Sequence, residues 1–146
     1  MREIASTEVP KLRACLESLA EHHNTVSNNF RGNYPSRPYE STLMLFEEAL
    51  INKTSRIAVA EEQGGIVGFC KIDICAEGGR IDYIVILKEH RGKGCGKLLM
   101  DWAMRLFEEY DIHRIEVKAV DGNDDAIRLY EKYGFKINAH ILVKGR

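Results

Sequence analysis

The stretch HRGKGCGKLLMDWA, residues 90–103, places three glycines and three cations directly before an apolar helical pattern. Gly92, Gly94 and Gly96 alternate with other residues, although each glycine costs a helix about 1 kcal/mol relative to alanine. A glycine-rich turn that opens a helix presents unpaired backbone N–H groups at the positive end of the helix dipole, and this combination suits phosphate. The stretch therefore predicts a loop and helix start that bind an anion through the backbone.

Cationic side chains surround this loop, and only one acidic residue, Glu89, stands among them in the sequence. The cations are Lys88, Arg91, Lys93 and Lys97. The helix dipole alone contributes only about 0.3–1 kcal/mol at an exposed end. Several amides and cations must therefore act together to hold a pyrophosphate, and the missing β-carbons let the backbone approach it closely.

Two common phosphate-binding motifs fail on spacing. A Walker A loop needs G-x-x-x-x-G-K-S/T, but Gly96-Lys97 is followed by Leu98. A dinucleotide fingerprint needs G-x-G-x-x-G, whereas the glycines here follow the pattern G-x-G-x-G. A nucleoside triphosphatase and a Rossmann-type dinucleotide enzyme are both excluded.

The RGKGCG segment resembles the R/Q-x-x-G-x-G/A pyrophosphate loop of the GCN5-related N-acetyltransferases, which bind acetyl-coenzyme A. Further along the chain, GNDDAIRLYEKYGF resembles that family's N-x-x-A-x-x-L/F-Y-x-x-x-G-F segment, and GGIVGFCKI resembles its third strand. The likeness runs from about Ser55 to the C-terminus. It implies a metal-free, acetyl-coenzyme A-dependent N-acetyltransferase that acetylates a primary amine directly, on a small molecule or a peptide.

The resemblance also implies which residues bind the co-substrate. Its pyrophosphate contacts the backbone amides of residues 91–97: Arg91, Gly92, Lys93, Gly94, Cys95, Gly96 and Lys97. The fourth strand, at Ile84, Val85 and Ile86, bonds the pantetheine arm, and a backbone N–H polarises the thioester carbonyl. This strand splays from the RIEVKAV strand and leaves a V-shaped slot. Asn123 contacts coenzyme A, and its position also suits a helix N-cap.

Tyr130 matches the tyrosine that serves as general acid in this family. A phenol has a pKa near ~10 and a thiol near ~8.5, so protonating the thiolate is uphill by roughly 2 kcal/mol. Tyr130 therefore works only if its pKa is lowered or if the departing ammonium proton makes up the deficit. Periodicity alone favours a packed aromatic residue at this position, and it predicts core positions for Tyr133 and Phe135.

Asp82 and Glu116 are the candidate general bases. Asp82 stands where glucosamine-phosphate acetyltransferases carry an acidic residue on the fourth strand, and Glu116 resembles the L-E-V glutamate of N-terminal-amine acetyltransferases. A base or a water relay is needed because an amine of pKa ~10.4 is only about 0.04% neutral at pH 7. The alternative that each carboxylate is a solvated strand charge stays open.

Apolar periodicity and turn signals predict a single α/β domain over residues 1–146. Its order is β-α-α-β-β-β-α-β-α-β, with helices on both faces of a mixed, mostly antiparallel sheet. The predicted elements are a strand at 1–6, helices at 6–23 and 39–53, three antiparallel strands within 56–87, the helix after the glycine loop, a strand at 113–120, a helix at 123–134 and a final strand at 135–145.

The loop between the first two helices is rich in proline, glycine and asparagine. His22 and His23 close the first helix, where a cationic side chain suits the C-terminus. A structural role is the simpler interpretation of both. The alternative is that they line the acceptor site together with Tyr34, Arg37 and Tyr39.

Composition bounds the remaining functions. The 146 residues carry a net charge of −1 with 29% charged residues, which indicates a soluble globular domain and argues against a nucleic-acid partner. Apolar runs are too short for a membrane span or a signal peptide, so we expect a cytoplasmic protein with no membrane contact, and a homodimer is possible. Cys15, Cys70, Cys75 and Cys95 form no C-x-x-C pair, which predicts reduced thiols and no metal site.

Two rival functions stay open. One is a non-catalytic regulator that binds acyl-coenzyme A through the same loop. The other is nucleic-acid binding through the loop cations, which would show a steep dependence on salt. The tyrosine at position 130 favours the enzyme.

Overall fold

The computed structural model describes residues 1–145 as one five-stranded sheet with helices on both faces. The strand order is β1-β2-β3-β4-β5; neighbours are antiparallel except for the parallel pair β4–β5. The strands are β1 (Arg2–Glu3), β2 (Ser55–Glu62), β3 (Gly65–Cys75), β4 (Gly78–Ile86) and β5 (Ile115–Val117). The helices are α1 (Arg13–Val26), α2 (Tyr39–Ile51), α3 (Cys95–Glu109) and α4 (Asp124–Lys132), with 3₁₀ turns at Ser6–Leu12 and Lys88–His90. The predicted fold class is confirmed.

Two apolar layers hold the helices against the sheet. On one face, Leu99, Trp102 and Phe107 of α3 pack on the sheet. On the other, Leu16 of α1 and Phe46 of α2 do the same. Strand β3 serves both layers because successive side chains point to opposite faces. This explains why its sequence is an almost continuous apolar run.

A β-bulge at Asp82 sets the geometry of β4. Lys71 pairs with Tyr83 and Ile72 with Ile81, so Asp82 is an extra residue on the β4 side of the ladder. A bulge bends its strand and increases the local twist. The β4–β5 ladder ends at Ile81 opposite Val117, just before this bend. The two strands therefore separate beyond that point, as the family resemblance implies.

The prediction of a final strand is wrong. Within the described chain, residues 135–145 form no strand. The side chains of Ile137, Ile141, Leu142 and Val143 are exposed there. A strand needs a neighbour with free ladder groups, and β5 is only three residues long instead of the predicted eight. The β-branched residues of the tail favour a strand, but the short β5 offers them too few ladder groups to pair with.

The first predicted helix also differs in detail. It begins as the 3₁₀ turn at Ser6–Leu12, continues as α1, and ends at Val26 instead of residue 23.

All four cysteines are free thiols; Cys15 and Cys70 are buried, whereas Cys75 is exposed. Among residues 1–145, no helix is both long and apolar enough to cross a bilayer. The same residues contain no cluster of three His, Cys, Asp or Glu side chains that could hold a metal.

Candidate functional site

A cleft of about 1830 Å³ opens where β4 and β5 separate. Its walls come from β4, the chain after β5, α4, the C-terminal half of α1 and the loop between α1 and α2. Most of the sequence-predicted site residues line it: Asp82, Ile84, Val85, Ile86, Arg91, Gly96, Glu116, Asn123 and Tyr130. The other loop residues adjoin it on the surface, where Gly92, Lys93, Gly94 and Lys97 are exposed and Cys95 is half-buried. One continuous space thus joins the glycine loop to the candidate catalytic side chains.

The glycine loop turns the chain into α3 through left-handed backbone. Gly92 has φ +79° and Gly94 has φ +88°, a region that favours glycine over any residue with a β-carbon. The N–H of Leu98 bonds the carbonyl of Gly94 at 3.1 Å. The amides of Cys95, Gly96 and Lys97 precede this bond in the first helical turn, where no intrahelical acceptor exists. They are available to an anion.

Gly96 has a different reason to be glycine. Its φ is not in the left-handed region, and a β-carbon built there would have no described heavy atom within 4 Å. The fold itself therefore does not require glycine at this position. The open space in front of an amide-bearing first turn matches a site that a ligand fills.

The loop cations are less free than the sequence suggests. Lys97 Nζ lies 2.8 Å from Asp101 Oδ2, and Lys93 Nζ lies 3.9 Å from Glu62 Oε2. Arg91 Nε donates to the Ile86 carbonyl at 3.0 Å. In the folded chain, Asp101 and Glu62 therefore join Glu89 as acidic neighbours of the loop. Asp101 could have been found from its i,i+4 spacing to Lys97, whereas Glu62 comes from a distant strand and left no local signal.

Tyr130 is buried, with 8% of its surface exposed, and it lines the cleft. Its ring packs edge-on against Phe135, with centroids 6.0 Å apart. Burial, with a smaller contribution from Cys70, raises the pKa of Tyr130 to about 12. The first of the two conditions under which Tyr130 can act as the acid, a lowered pKa, is thus not met here. Protonation of the thiolate therefore depends on the second condition, the proton released by the acceptor ammonium.

Tyr133 and Phe135 pack at the edge of the core, as predicted. Tyr133 has a second contact that periodicity could not reveal. Its hydroxyl donates to Asp101 Oδ1 at 2.6 Å and thereby ties α4 to the first turns of α3. Burial and this bond to a carboxylate raise the pKa of Tyr133 to about 12.

Asp82 is not an isolated carboxylate. Lys71 Nζ donates to Asp82 Oδ2 at 2.7 Å and to Asp73 Oδ1 at 2.6 Å. Arg80 donates to the other oxygen of Asp73 at 2.7 Å. Burial opposes the ionisation of Asp73, but bonds from Lys71 and Ser55 hold its pKa below the usual range. The cluster of Lys71, Asp73, Arg80 and Asp82 joins two carboxylates to two cations.

Sequence reasoning missed Lys71, although a lysine within the apolar run of β3 was a signal. Its side chain is only 6% exposed.

Glu116, the second candidate base, differs from Asp82 because it is exposed on β5 opposite Arg80. It lines the outer part of the cleft.

Asn123 lies directly before α4 but does not cap it with its side chain. Its Oδ1 instead lies 3.3 Å from His22 Nε2. The adjacent loop presses against the end of α1, since a β-carbon at Gly122 would sit 2.1 Å from the Val26 carbonyl oxygen. Asn28 N–H also donates to the Asp121 carbonyl at 3.1 Å. These contacts join the two walls at one end of the cleft.

His23 is neutral near pH 7, and the proposed cationic role at the helix end is wrong for it. Burial and the neighbouring His22 lower the pKa of His23 to about 4. Its ring meets Tyr34 edge-on, with centroids 5.1 Å apart. Both side chains line the cleft, together with His22, Arg37 and Tyr39. The structure places all five residues in the cleft wall, and their part in binding an acceptor stays a prediction.

We expect acid to destabilise the fold through His23. An unfolded histidine binds a proton below pH 6.5, whereas folded His23 does so only near pH 4. The unfolded state therefore binds more protons in this window, and the free energy of unfolding decreases as the pH is lowered from 6.5 to 4. Because the ring is partly screened by solvent, the expected loss is about 1–2 kcal/mol. Urea unfolding at pH 7 and pH 4.5 should show a smaller loss in His23→Gln than in wild type. The exposed His113→Gln variant is the control, and equal losses in all three proteins would contradict the assignment.

The comparisons with known proteins show the family and the fold of the chain. The model of the Acetyltransferase (GNAT) family matches residues 18–135. A candidate ribosomal protein bS18-alanine N-acetyltransferase of Bacillus subtilis (strain 168) is 32% identical over 62% of this chain, and the match spans only 60% of that protein. A spermine/spermidine N(1)-acetyltransferase of the same strain is 30% identical over 73% of this chain and 76% of its own length. The crystal structure of the PaiA N-acetyltransferase from Thermoplasma acidophilum in complex with coenzyme A shares the fold, with a TM-score of 0.74, 18% identity, and coverage of 94% of this chain and 89% of that one.

Proposed function

The chain belongs to the acetyltransferase (GNAT) family, and we propose that it transfers the acetyl group of acetyl-coenzyme A directly to a primary amine. The observation that carries the proposal is that one cleft contains both free backbone amides and an open strand edge. The first turn of α3 offers free amides, and β4 separates from β5 at the adjacent wall. The acceptor class, a small-molecule or peptide amine, is supported by the activities for which the relatives are named.

The residues present fit coenzyme A. The amides of residues 91–97 would hold its diphosphate, and the space before Gly96 admits phosphate oxygens without displacing protein atoms. Because Lys97 and Lys93 already have carboxylate neighbours, the amides and the helix end supply the directional contacts. Arg91 adds charge at the point where the loop meets β4.

The backbone of β4 at Ile84, Val85 and Ile86 would hold the extended pantetheine arm as an added strand. This edge is open because the β4–β5 ladder stops at Ile81. Acetyl-coenzyme A supplies the acetyl group as an activated thioester. A preorganised N–H of β4 at the thioester carbonyl would stabilise the negative charge that develops on its oxygen, which is often the largest catalytic contribution.

Proton transfers complete the proposed reaction. The amine nitrogen forms a bond to the acetyl carbon as the carbon–sulfur bond breaks, and the proton lost by nitrogen balances the one gained by sulfur. Asp82, Glu116 or a water between them first takes one proton from the acceptor ammonium group and releases it to solvent, which frees the nitrogen lone pair. The second proton, lost by nitrogen as the amide bond forms, passes to Tyr130 while Tyr130 gives its own proton to the sulfur, because a side chain with a pKa of about 12 does not stay ionised.

A panel of amines assayed for free coenzyme A tests this function. With a saturating donor, kcat/KM should rise with pH between 7 and 9, because the neutral fraction of the amine grows about tenfold per pH unit. No falling limb from Tyr130 is expected in this range, since its pKa is about 12. Stoichiometric coenzyme A binding with no acetylated amine would instead indicate the non-catalytic regulator, and binding of DNA in place of coenzyme A would indicate the nucleic-acid function.

A further inference from the structure

The half of the cleft formed by α1, the following loop and the α2 start has its own chemistry. We call this surface, together with Asp82 and Tyr83 of β4, the acceptor wall; α1 and α2 lie on the face of the sheet opposite α3. It is rich in aromatic rings and contains one guanidinium and one carboxylate: Leu16, Leu19, His23, Tyr34, Arg37, Tyr39, Asp82 and Tyr83.

The negative charge of this wall is compensated inside the protein. Asp82 bonds Lys71, whose ammonium group also bonds Asp73, and Arg80 bonds Asp73 in turn. The four side chains sum to zero charge. His23 adds none near pH 7, because burial lowers its pKa to about 4. Asp82 is therefore already compensated on this wall, whereas Glu116, Asp121 and Glu131 line other parts of the same cleft.

The Arg37 side chain is held by a hydrogen bond to a hydroxyl group and not by an ion pair with a carboxylate. Its Nε donates to Thr42 Oγ1 at 3.0 Å, and Thr42 is buried, with 6% of its surface exposed. The partner is a neutral hydroxyl. Glu40, the nearest acidic residue along the chain, bonds Arg13 at 2.7 Å instead. A guanidinium has five N–H donors in a planar fork, so the donors on its two Nη atoms suit a carboxylate.

We propose that the acceptor is a small amine that also carries a carboxylate, as an amino acid does, and that Arg37 is its specificity-determining residue. This inference rests on the proposed N-acetyltransferase function. The carboxylate binds the Arg37 guanidinium, and the apolar part of the acceptor lies against Tyr34 and Tyr39. The wall disfavours polyamines, since a second ammonium group would meet Arg37 as a like charge.

Matched amine pairs that differ only in the carboxylate test this proposal: L-tyrosine with tyramine, L-phenylalanine with phenethylamine, and L-leucine with isoamylamine. Rates are compared per neutral amine, and spermidine is included. For wild type, we expect kcat/KM at least tenfold higher for the carboxylated member of the best pair. In Arg37→Gln, that ratio should fall to near one, chiefly through KM for the carboxylated amine.

Arg31→Gln is the matched control. Arg31 stands in the same loop, but its Nε donates to the Ser27 carbonyl at 2.9 Å. The control should keep the wild-type ratio. Equal or better use of the decarboxylated amines or of spermidine by wild type would overturn the proposal, as would an unchanged ratio in Arg37→Gln.

Binding of the acetylated products separates this inference from the proposed function. With coenzyme A present, calorimetry should show that wild type binds N-acetyl-L-tyrosine at least tenfold more tightly than N-acetyltyramine, and that Arg37→Gln does not. If no amine is acetylated yet this difference persists, the function fails and the carboxylate site stands. If amines are acetylated and the products bind alike, the carboxylate site fails alone.

Discussion

Replacing Tyr130 with phenylalanine is expected to lower kcat about a hundredfold while changing the coenzyme A Kd by less than twofold. General acid catalysis contributes typically about 10²–10⁴-fold, and an acid whose pKa is well above that of its partner falls at the lower end. Burial raises the pKa of Tyr130 to about 12, against ~8.5 for an ordinary thiol. The ring keeps its packing on Phe135 in the variant, so the fold should persist.

Steady-state kinetics over pH 7–9, with coenzyme A calorimetry, check this expectation. Tyr133→Phe is the matched control, because it removes a tyrosine hydroxyl that lies one turn further along the chain, lines the same cleft and is already bonded to Asp101. The control should lose kcat only a few-fold. If turnover of Tyr130→Phe equals that of wild type across this pH range, Tyr130 is not the acid.

Gly94→Val is expected to weaken coenzyme A binding at least tenfold, a loss of about 1.4 kcal/mol or more. Gly94 immediately precedes α3 and has φ +88°. A β-branched side chain in the left-handed region costs of order 1–3 kcal/mol, so the loop should relax and turn the first amides of α3 away from the ligand. Calorimetric titration with coenzyme A measures the loss.

Gly96→Ala provides a comparison free of that strain. A β-carbon there meets no described heavy atom within 4 Å, and alanine favours the helix by about 1 kcal/mol. We expect unchanged or higher stability in urea together with coenzyme A binding close to that of wild type, because the loop motif R/Q-x-x-G-x-G/A accepts alanine at this position. Wild-type affinity in Gly94→Val would contradict close backbone approach to the ligand.

The parts of the site that could be predicted from the sequence are local. The turn at Gly92 and Gly94 follows from glycine spacing before an apolar helical pattern, and α4 follows from its periodicity. The separation of β4 from β5 was implied by the family resemblance, and the bulge at Asp82 is its structural cause. Roles that depend on ligand contact, those of Tyr130 and Asn123 above all, remain proposals.

The parts that could not be predicted depend on partners distant in sequence. Lys71 of β3 reaches Asp82 on the neighbouring strand β4, and Glu62 reaches the glycine loop from the end of β2. The expected strand at 135–145 needed a neighbouring ladder, which the short β5 does not offer. Residue composition determines the local preference for a strand or a helix. The ion pairs and the missing final strand depend instead on which groups the fold brings together.

The proposed function depends above all on the main-chain amides of the glycine loop and the first turn of α3, which would bind the diphosphate of coenzyme A. Amide chemical shifts of ¹⁵N-labelled protein, titrated in parallel with coenzyme A and with pantetheine, test it most directly. We expect coenzyme A to shift the amides of Gly94, Gly96 and Lys97, whereas pantetheine, which lacks the diphosphate, should shift those of Ile84–Ile86 and leave the loop unchanged. Loop amides that stay in place at saturating coenzyme A would contradict it.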